Sequence, residues 1–188
     1  MKILCETSVR HVHLSAEHVA ALFGEGHMLT PKRELSQPGQ FLAEERVDLV
    51  TPKATLSNIA IIGPARPRTQ VEISKTDTLA LGLKDVPVRE SGKLDNSCGI
   101  KVRSGKNEVG LDSGVIIARR HVHLDPKTAG EFGLWDGQVV GVRFEGERGG
   151  VLENTVVRVG ENFVPAIHID SDEANAMDFK EGKAEIVI

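Results

Sequence analysis

The segment RHVHLSAEHVAALFG at residues 10–24 returns later in the chain as RHVHLDPKTAGEFG at residues 120–133. In both copies a His-x-His pair precedes a residue that favours helix N-caps, Ser15 in the first and Asp125 in the second. Pro126 then takes the first helical position of the second copy, and each copy reaches a glycine. The pattern predicts a strand and a short helix in each copy, and it indicates an internal duplication.

Most of the remaining sequence consists of short β-type runs bounded by Gly, Pro, Asn or Asp. A third short helix is predicted at 171–179, with Ser171 or Asp172 as its N-cap. Residues 24–44 are polar and rich in turn-forming residues, which indicates an insertion in the first half, and 144–155 have the pattern of a hairpin tip. The predicted strands, which make the fold mainly β, lie at 47–50, 58–63, 69–74, 114–124, 138–144, 155–160 and 184–188.

The 188 residues suit one compact unit or two small domains, and 40% hydrophobic with 27% charged residues is typical of a globular protein. A net charge of −4 without a Lys/Arg block argues against a nucleic-acid partner. No apolar run indicates a signal peptide or a membrane span, so we expect a cytoplasmic protein without membrane contact. Cys5 and Cys98 are then reduced thiols, and a core of Val, Ile, Leu and Ala is expected because aromatic residues are few.

The histidines of the repeated motif form two pairs, His11 with His13 and His121 with His123. Residues two apart in a strand point to the same face, so each pair presents two imidazoles side by side. Neighbouring imidazoles suit a borderline metal such as Zn²⁺. The repetition of the pair in matched contexts favours metal binding over a chance surface pair.

A second, weaker repeat follows each copy: VEISKTDTLA at 71–80 aligns with IHIDSDEANA at 167–176. This alignment sets Glu72 against His168, so each half offers two histidines and one further ligand. Three ligands with an open fourth position are typical of catalytic zinc, whereas closed structural sites, the alternative, usually take four ligands that include cysteine. The remaining histidines, which we expect to be solvated surface residues, are His18 and His27.

The stretch GPARPRTQVEIS at 63–74 places Arg66 and Arg68 before the strand that carries Glu72. Two prolines stiffen this connection. A guanidinium presents a planar fork that suits phosphate or carboxylate. The alternative is that both arginines are exposed loop residues, but a candidate metal ligand close by favours a role in anion binding.

Taken together, RHVHLS, GPARPRTQVEIS, RHVHLD and IHIDSDEAN resemble, in content and in order, the motifs of the PduL-type phosphate acyltransferases, also called phosphate propanoyltransferases. The resemblance covers nearly the whole chain. It implies two interlocked β-barrels capped by short α-helices. Residues 1–9 with 119–188 would form one barrel, and residues 10–118, with the small insertion at about 24–44, would form the other.

The resemblance also implies two Zn²⁺ ions, or another divalent transition metal, in a cleft between the barrels. Arg66 matches the position that holds phosphate in the family. Carried over by motif, the ligand sets are His11, His13 and His168 for one metal and Glu72, His121 and His123 for the other.

The implied reaction is acyl-CoA + phosphate ⇌ acyl phosphate + CoA, with acetyl-CoA or propanoyl-CoA as the thioester. No Ser-His-Asp or Cys-His arrangement is visible, so we expect direct attack by phosphate held on Arg66. The metals would polarise the carbonyl and receive the leaving sulfur, the latter mainly at the metal assigned to His11, His13 and His168. An alternative route through Cys98 as a covalent acyl carrier is disfavoured, because no residue can be assigned as the base that would activate its thiol.

Two alternatives stay open at this point. One is a di-zinc hydrolase that acts on a thioester or a phosphoester, and the other is a non-enzymatic, metal-stabilised binding module. Family members housed in bacterial microcompartments carry an extra amphipathic N-terminal segment, which does not fit before the first motif here. We therefore expect a free cytoplasmic enzyme, and the family resemblance adds the expectation of a homodimer.

Overall fold

The chain folds into two compact units, each built mainly from β-strands. The computed structural model describes residues 1–188. Met1–Val9 and Arg119–Ile188 form the first unit, and Arg10–Ala118 form the second. Each unit contains a closed ring of six strands and two short helices, so the predicted fold class of two helix-capped β-barrels is confirmed.

The elements of the first unit are β1 (Lys2–Ser8), β10 (His121–Leu124), α3 (Pro126–Phe132), β11 (Val139–Phe144), β12 (Gly150–Val159), β13 (Ala166–Asp170), α4 (Ser171–Ala176) and β14 (Gly182–Val187). The barrel closes in the strand order β1-β13-β10-β12-β11-β14, with β14 pairing back to β1. The helices α3 and α4 follow β10 and β13 directly.

The elements of the second unit are β2 (His11–His13), α1 (Ala16–Phe23), β3 (Pro31–Glu34), β4 (Phe41–Val50), β5 (Thr55–Gly63), β6 (Gln70–Glu72), α2 (Lys75–Leu81), β7 (Val88–Arg89), β8 (Cys98–Ser104) and β9 (Asn107–Ala118). The ring closes in the order β4-β5-β2-β6-β9-β8, with β8 pairing back to β4. Two further strands lie outside the ring, β3 on β4 and β7 on β9.

The internal duplication is visible in the strand pairing. The His-x-His strand of the second unit, β2, pairs parallel with β5 and antiparallel with β6. Its counterpart in the first unit, β10, pairs parallel with β12 and antiparallel with β13. In both units a helix follows each of the two strands that carry the candidate ligands, β2 and β6 in one and β10 and β13 in the other. The repeat therefore extends from the sequence motif to the topology.

The helix starts follow the capping rules that the sequence indicated. The side chain of Ser15 accepts a hydrogen bond from the amide of His18, and that of Asp125 accepts one from the amide of Thr128. The N-cap of α4 is Asp170, which corrects the expectation of Ser171 or Asp172. Asp170 is the last strand residue, so its extended backbone lets the carboxylate reach the helix amides. None of the four helices is long and apolar enough to cross a membrane.

Three parts of the chain differ from the sequence-based expectations. The run at 114–124 is two strands rather than one, because the chain leaves the second unit after Ala118 and re-enters the first at Arg119. The segment at 24–44 contains β3 and the first residues of β4, where Ala43 is fully buried. The helix α2 and the strands β1, β3, β7, β8 and β13 were not predicted.

Aliphatic side chains fill both cores, as the composition led us to expect. Phe144 is the only aromatic residue among the buried core side chains, whereas Trp135 is 63% exposed. These cores hold the strands that carry the histidines, since Val12 and Val122 point inward from the centre of each His-x-His motif and are fully buried. The alternation of a strand then directs the flanking histidines to the opposite face.

Gly99 marks a close backbone approach between β8 and β9, and its replacement by alanine is expected to destabilise the second unit. A Cβ at this position would lie 2.2 Å from the carbonyl oxygen of Leu111, so the backbone would have to shift. We expect a loss of about 1–3 kcal/mol of unfolding free energy, measured by urea denaturation. Gly110→Ala is the matched control, because its Cβ would meet nothing within 4 Å. Equal denaturation midpoints for the two variants would contradict this account.

Candidate metal centres

Three potential ligands converge in the second unit. His11 and His13 project from one face of β2, and Glu72 lies directly opposite His11 on the antiparallel strand β6. The two Nε2 atoms are 3.2 Å apart, and the carboxylate oxygens of Glu72 lie 3.5 Å from His11 Nε2 and 3.8 Å from His13 Nε2. All three side chains are buried. We call this set the HHE triad.

The histidine His13 is held in the form that binds metals. Its Nδ1–H donates to the backbone carbonyl of Ile62 over 3.0 Å, which leaves the lone pair of Nε2 directed at the cluster. Burial, followed by the positive charges of His11 and Arg66, lowers the pKa of His13 to about 3. The imidazole is therefore neutral at physiological pH, as a metal ligand must be.

Glu72 is ionised despite its burial. Desolvation alone would raise the pKa of this carboxyl group, but the charge and hydrogen bond of His11, with further help from His13 and the Ser91 hydroxyl, lower it instead. A buried carboxylate is stable only when it is paired and hydrogen-bonded. The HHE triad thus combines two imidazoles with one negative charge.

A hydrogen-bond network joins Arg66 to this triad. The Ser91 hydroxyl donates to Glu72 Oε1 over 3.0 Å, and it accepts hydrogen bonds from Arg66 Nη1 at 3.1 Å and from Gln70 Nε2 at 2.8 Å. The amide of Gln70 also donates to Glu72. The backbone amide of Arg66 is fixed to the carbonyl of Leu14, the residue after His13. The sequence-predicted anion-binding arginine therefore lies beside the triad, with its guanidinium oriented by Ser91.

Three histidines converge in the first unit. His121 and His123 project from β10, and His168 lies directly opposite His121 on the antiparallel strand β13. The ring centroids are 4.6 to 5.0 Å apart. His121 Nδ1–H donates to the carbonyl of Arg119 over 2.9 Å, which fixes this ring as well. We call this set the HHH triad.

The donor atoms of both triads fit a divalent transition metal. Within each triad, one potential ligand atom per residue lies within 4.8 Å of the other two. His123 Nδ1 is buried without a hydrogen-bond partner, an arrangement that a coordinated cation would satisfy. Burial and the charges of His121, His168 and Arg158 lower the pKa of His123 to about 2, so this ring is neutral too. Imidazole and carboxylate donors are those that Zn²⁺ takes in catalytic sites.

The structure groups the candidate ligands differently from the grouping that the family resemblance implied. His168 was expected with His11 and His13, and Glu72 with His121 and His123. In the structure each triad lies within a single unit, because the third ligand is on the strand that pairs antiparallel with the His-x-His strand.

A partly buried arginine–carboxylate ion pair adjoins each triad, and neither pair was predicted from the sequence. Arg10, directly before His11, makes a bidentate contact with Asp77, with Nε–Oδ2 and Nη2–Oδ1 distances of 3.1 and 3.0 Å. Arg120, directly before His121, contacts Glu173 through Nη1 alone, and its Nε donates to the backbone carbonyl of Glu153 over 2.6 Å. Both acids follow the third ligand by five residues and cap the helix there. Each pair thus ties the His-x-His strand to the third-ligand segment.

The other histidines and the cysteines have ordinary structural roles. His18 is half-buried and its Nδ1 lies 2.7 Å from Thr69 Oγ1, while His27 Nε2 lies 2.8 Å from Glu45 Oε1, which corrects the expectation that both are merely solvated. Both cysteines are free thiols, Cys5 buried and Cys98 partly exposed.

Known proteins match this chain over almost its full length. The sequence profile of the phosphate propanoyltransferases matches residues 4–180. A phosphate propanoyltransferase of Alkaliphilus metalliredigens is 48% identical over 97% of this chain and 85% of its own length. Those of Listeria monocytogenes and Thermotoga maritima are 48% and 43% identical over 94% and 99% of this chain, and over 83% and 89% of their own lengths.

The chain belongs to the phosphate propanoyltransferase family. The resemblance drawn from the four motifs is therefore confirmed. Membership of this family makes the protein a transferase, with acyl-CoA and phosphate as the substrate classes that the family name implies.

Proposed function

We propose that this protein transfers an acyl group between coenzyme A and inorganic phosphate, that the HHE and HHH triads each hold a divalent metal ion, Zn²⁺ by preference, and that Arg66 holds the phosphate. The observation that carries the proposal is the network from Arg66 through Ser91 to Glu72. It supports a fixed cation beside a three-ligand site, where a dianionic substrate would find both charge and geometry.

The residues of the chain supply binding and orientation. A metal ion held by a triad would act as a Lewis acid toward the thioester carbonyl or the departing sulfur. Arg66 presents N–H donors to phosphate oxygens, and Ser91 restricts its rotation, so a bound phosphate would be aligned for attack. An oxygen of hydrogenphosphate forms a bond to the thioester carbonyl carbon, the carbon–sulfur bond breaks, and CoA leaves as a thiolate. The proton that the phosphate loses passes through water to the sulfur.

Direct attack by phosphate is preferred to an acyl-enzyme route through Cys98. Burial raises the pKa of the Cys98 thiol, and the negative charge of Asp85 raises it further. Its Sγ–H donates to the carbonyl of Lys84 over 3.3 Å rather than to a histidine. A thiol in this environment is a poor nucleophile at neutral pH.

The preferred acyl group is proposed to be propanoyl, after the name that the relatives share. Acetyl-CoA differs from propanoyl-CoA by one methylene, which a pocket distinguishes by only about 1–3 kcal/mol. Both thioesters are therefore expected to react, with the ratio of their kcat/KM values as the measure of preference.

Phosphate-dependent release of free CoA is the expected result with the metal-loaded protein. The thiol is measured from propanoyl-CoA and acetyl-CoA, with and without inorganic phosphate, and again after chelation and after metal is restored. Release that needs phosphate and is lost on chelation supports the proposal. Release without phosphate would indicate a thioesterase, and no release under any condition would favour a binding module.

A further inference from the structure

Arg158 lies beside the HHH triad on the neighbouring strand. The strands β10 and β12 run parallel, and their register places Arg158 next to His123. Directly paired residues of adjacent strands point to the same face of a sheet. The guanidinium of Arg158 and the imidazole of His123 therefore emerge on one face of the first barrel.

The side chain of Arg158 is held in place by an aromatic ring. Its Cζ lies 5.9 Å from the centroid of Phe163, whose ring in turn lies 4.1 Å from that of His123. A tight turn sets this ring, since the amide of Phe163 donates to the carbonyl of Gly160 over 3.0 Å. A Cβ at Gly160 would lie 2.9 Å from the Phe163 ring, so a larger residue there would push the ring out of its present position. The arginine is thus oriented before any ligand arrives.

No carboxylate neutralises Arg158. It makes no ion pair and no hydrogen bond, although it is half-buried. The arginines that precede the two histidine pairs each have an acidic partner, and Arg143 on the next strand pairs with Glu185. A half-buried guanidinium that is fixed but unpaired has donors available for an anion from solution.

We propose that Arg158 binds a phosphate group of a substrate next to the HHH triad. The inference rests on the proposed function, because that reaction brings two kinds of phosphate to the protein. One is inorganic phosphate, or the same group in acyl phosphate, and the other is the phosphates of coenzyme A. Since Arg66 is already assigned to inorganic phosphate, coenzyme A is the expected source.

The test compares Arg158→Met and Arg158→Lys with the native protein. KM is measured for propanoyl-CoA, for propanoyl-3′-dephospho-CoA and for phosphate, and calorimetry gives the Kd of CoA and of phosphate. Metal content is determined for every variant. Arg143→Met is the matched control, because it removes an exposed, ion-paired arginine from the same barrel. We expect Arg158→Met to raise one KM and the corresponding Kd about tenfold or more, and Arg158→Lys to restore part of the loss.

Each outcome decides the proposal. A higher KM for propanoyl-CoA but not for its 3′-dephospho analogue identifies the 3′-phosphate, and a higher KM for both identifies the pyrophosphate. A higher KM for phosphate alone identifies inorganic phosphate. Constants within about twofold of native, a change in kcat alone, or loss of metal would overturn the proposal. If the native protein releases no CoA, the proposed function fails, but calorimetry still tests Arg158 independently. If neither CoA nor phosphate binds to the native protein in the calorimeter, the proposal for Arg158 is overturned as well.

Discussion

Removing His11 and Glu72 together is expected to leave the protein with one of its two proposed metal ions and to abolish most phosphate-dependent CoA release. Both side chains belong to the HHE triad, where they lie opposite each other on β2 and β6. Two of three ligands would be lost from one site and none from the other. A catalytic metal contributes several kcal/mol to the transition state, so the rate should fall about a thousandfold or more.

Metal content distinguishes this grouping of ligands from the one that the family resemblance implied. In that earlier grouping, His11 and Glu72 serve different metals, and the double variant would weaken both sites together. The measurement is metal per protein chain after extensive dialysis, supported by the absorption spectrum of the cobalt-loaded protein. His27→Ala combined with Glu45→Ala is the matched control, because it removes a contacting His–Glu pair from the same unit but outside the triads. A double variant that keeps two metals, or loses both, would contradict the HHE assignment.

The mainly β character of the fold and the six candidate ligands could be predicted because each depends on a local or repeated pattern, whereas the two-barrel architecture was implied only by the family resemblance. Alternation in short β-type runs indicates strands, and a duplicated His-x-His draws attention to its own neighbours. The alignment of the segments that contain Glu72 and His168 identifies a third candidate metal ligand in each half. The partition of the ligands into triads could not be predicted, since it depends on which strand pairs with which, and strand pairing is non-local.

The hydrogen bonds that Ser91 and Gln70 make to Glu72 could not be predicted from sequence patterns either. Ser91 lies in an irregular stretch after β7, and no local signal connects it with Arg66 or Glu72. Only the fold brings its hydroxyl to both. The ion pairs of Arg10 and Arg120 could have been predicted from the sequence. Both arginines belong to the repeat, and their acidic partners stand at equivalent positions after the third candidate ligand.

Replacing Arg66 by methionine is expected to lower kcat/KM for phosphate by about 10²–10³-fold while leaving metal content and KM for propanoyl-CoA near the native values. The guanidinium lies beside the HHE triad and is oriented by Ser91, and methionine keeps much of its apolar stem. Loss of charged donors aimed at a reacting phosphate removes about 3–4 kcal/mol of transition-state stabilisation. The Lys variant should recover only part of this, since an ammonium cannot make a bidentate contact.

Arg68→Met provides the control for this prediction within the same loop. Arg68 stands two residues further on, its side chain is 53% exposed, and it pairs with Asp95 on the surface. Its removal should change kcat/KM for phosphate by less than about twofold, because exposed ion pairs contribute little. A selective rise in KM for phosphate in the Arg66 variant, together with partial rescue by added guanidinium, would establish that the missing group is a phosphate-binding cation. Identical phosphate kinetics in the Arg66 and Arg68 variants would show that Arg66 does not bind the reacting phosphate. The Arg66 guanidinium beside the HHE triad would then have a structural role only.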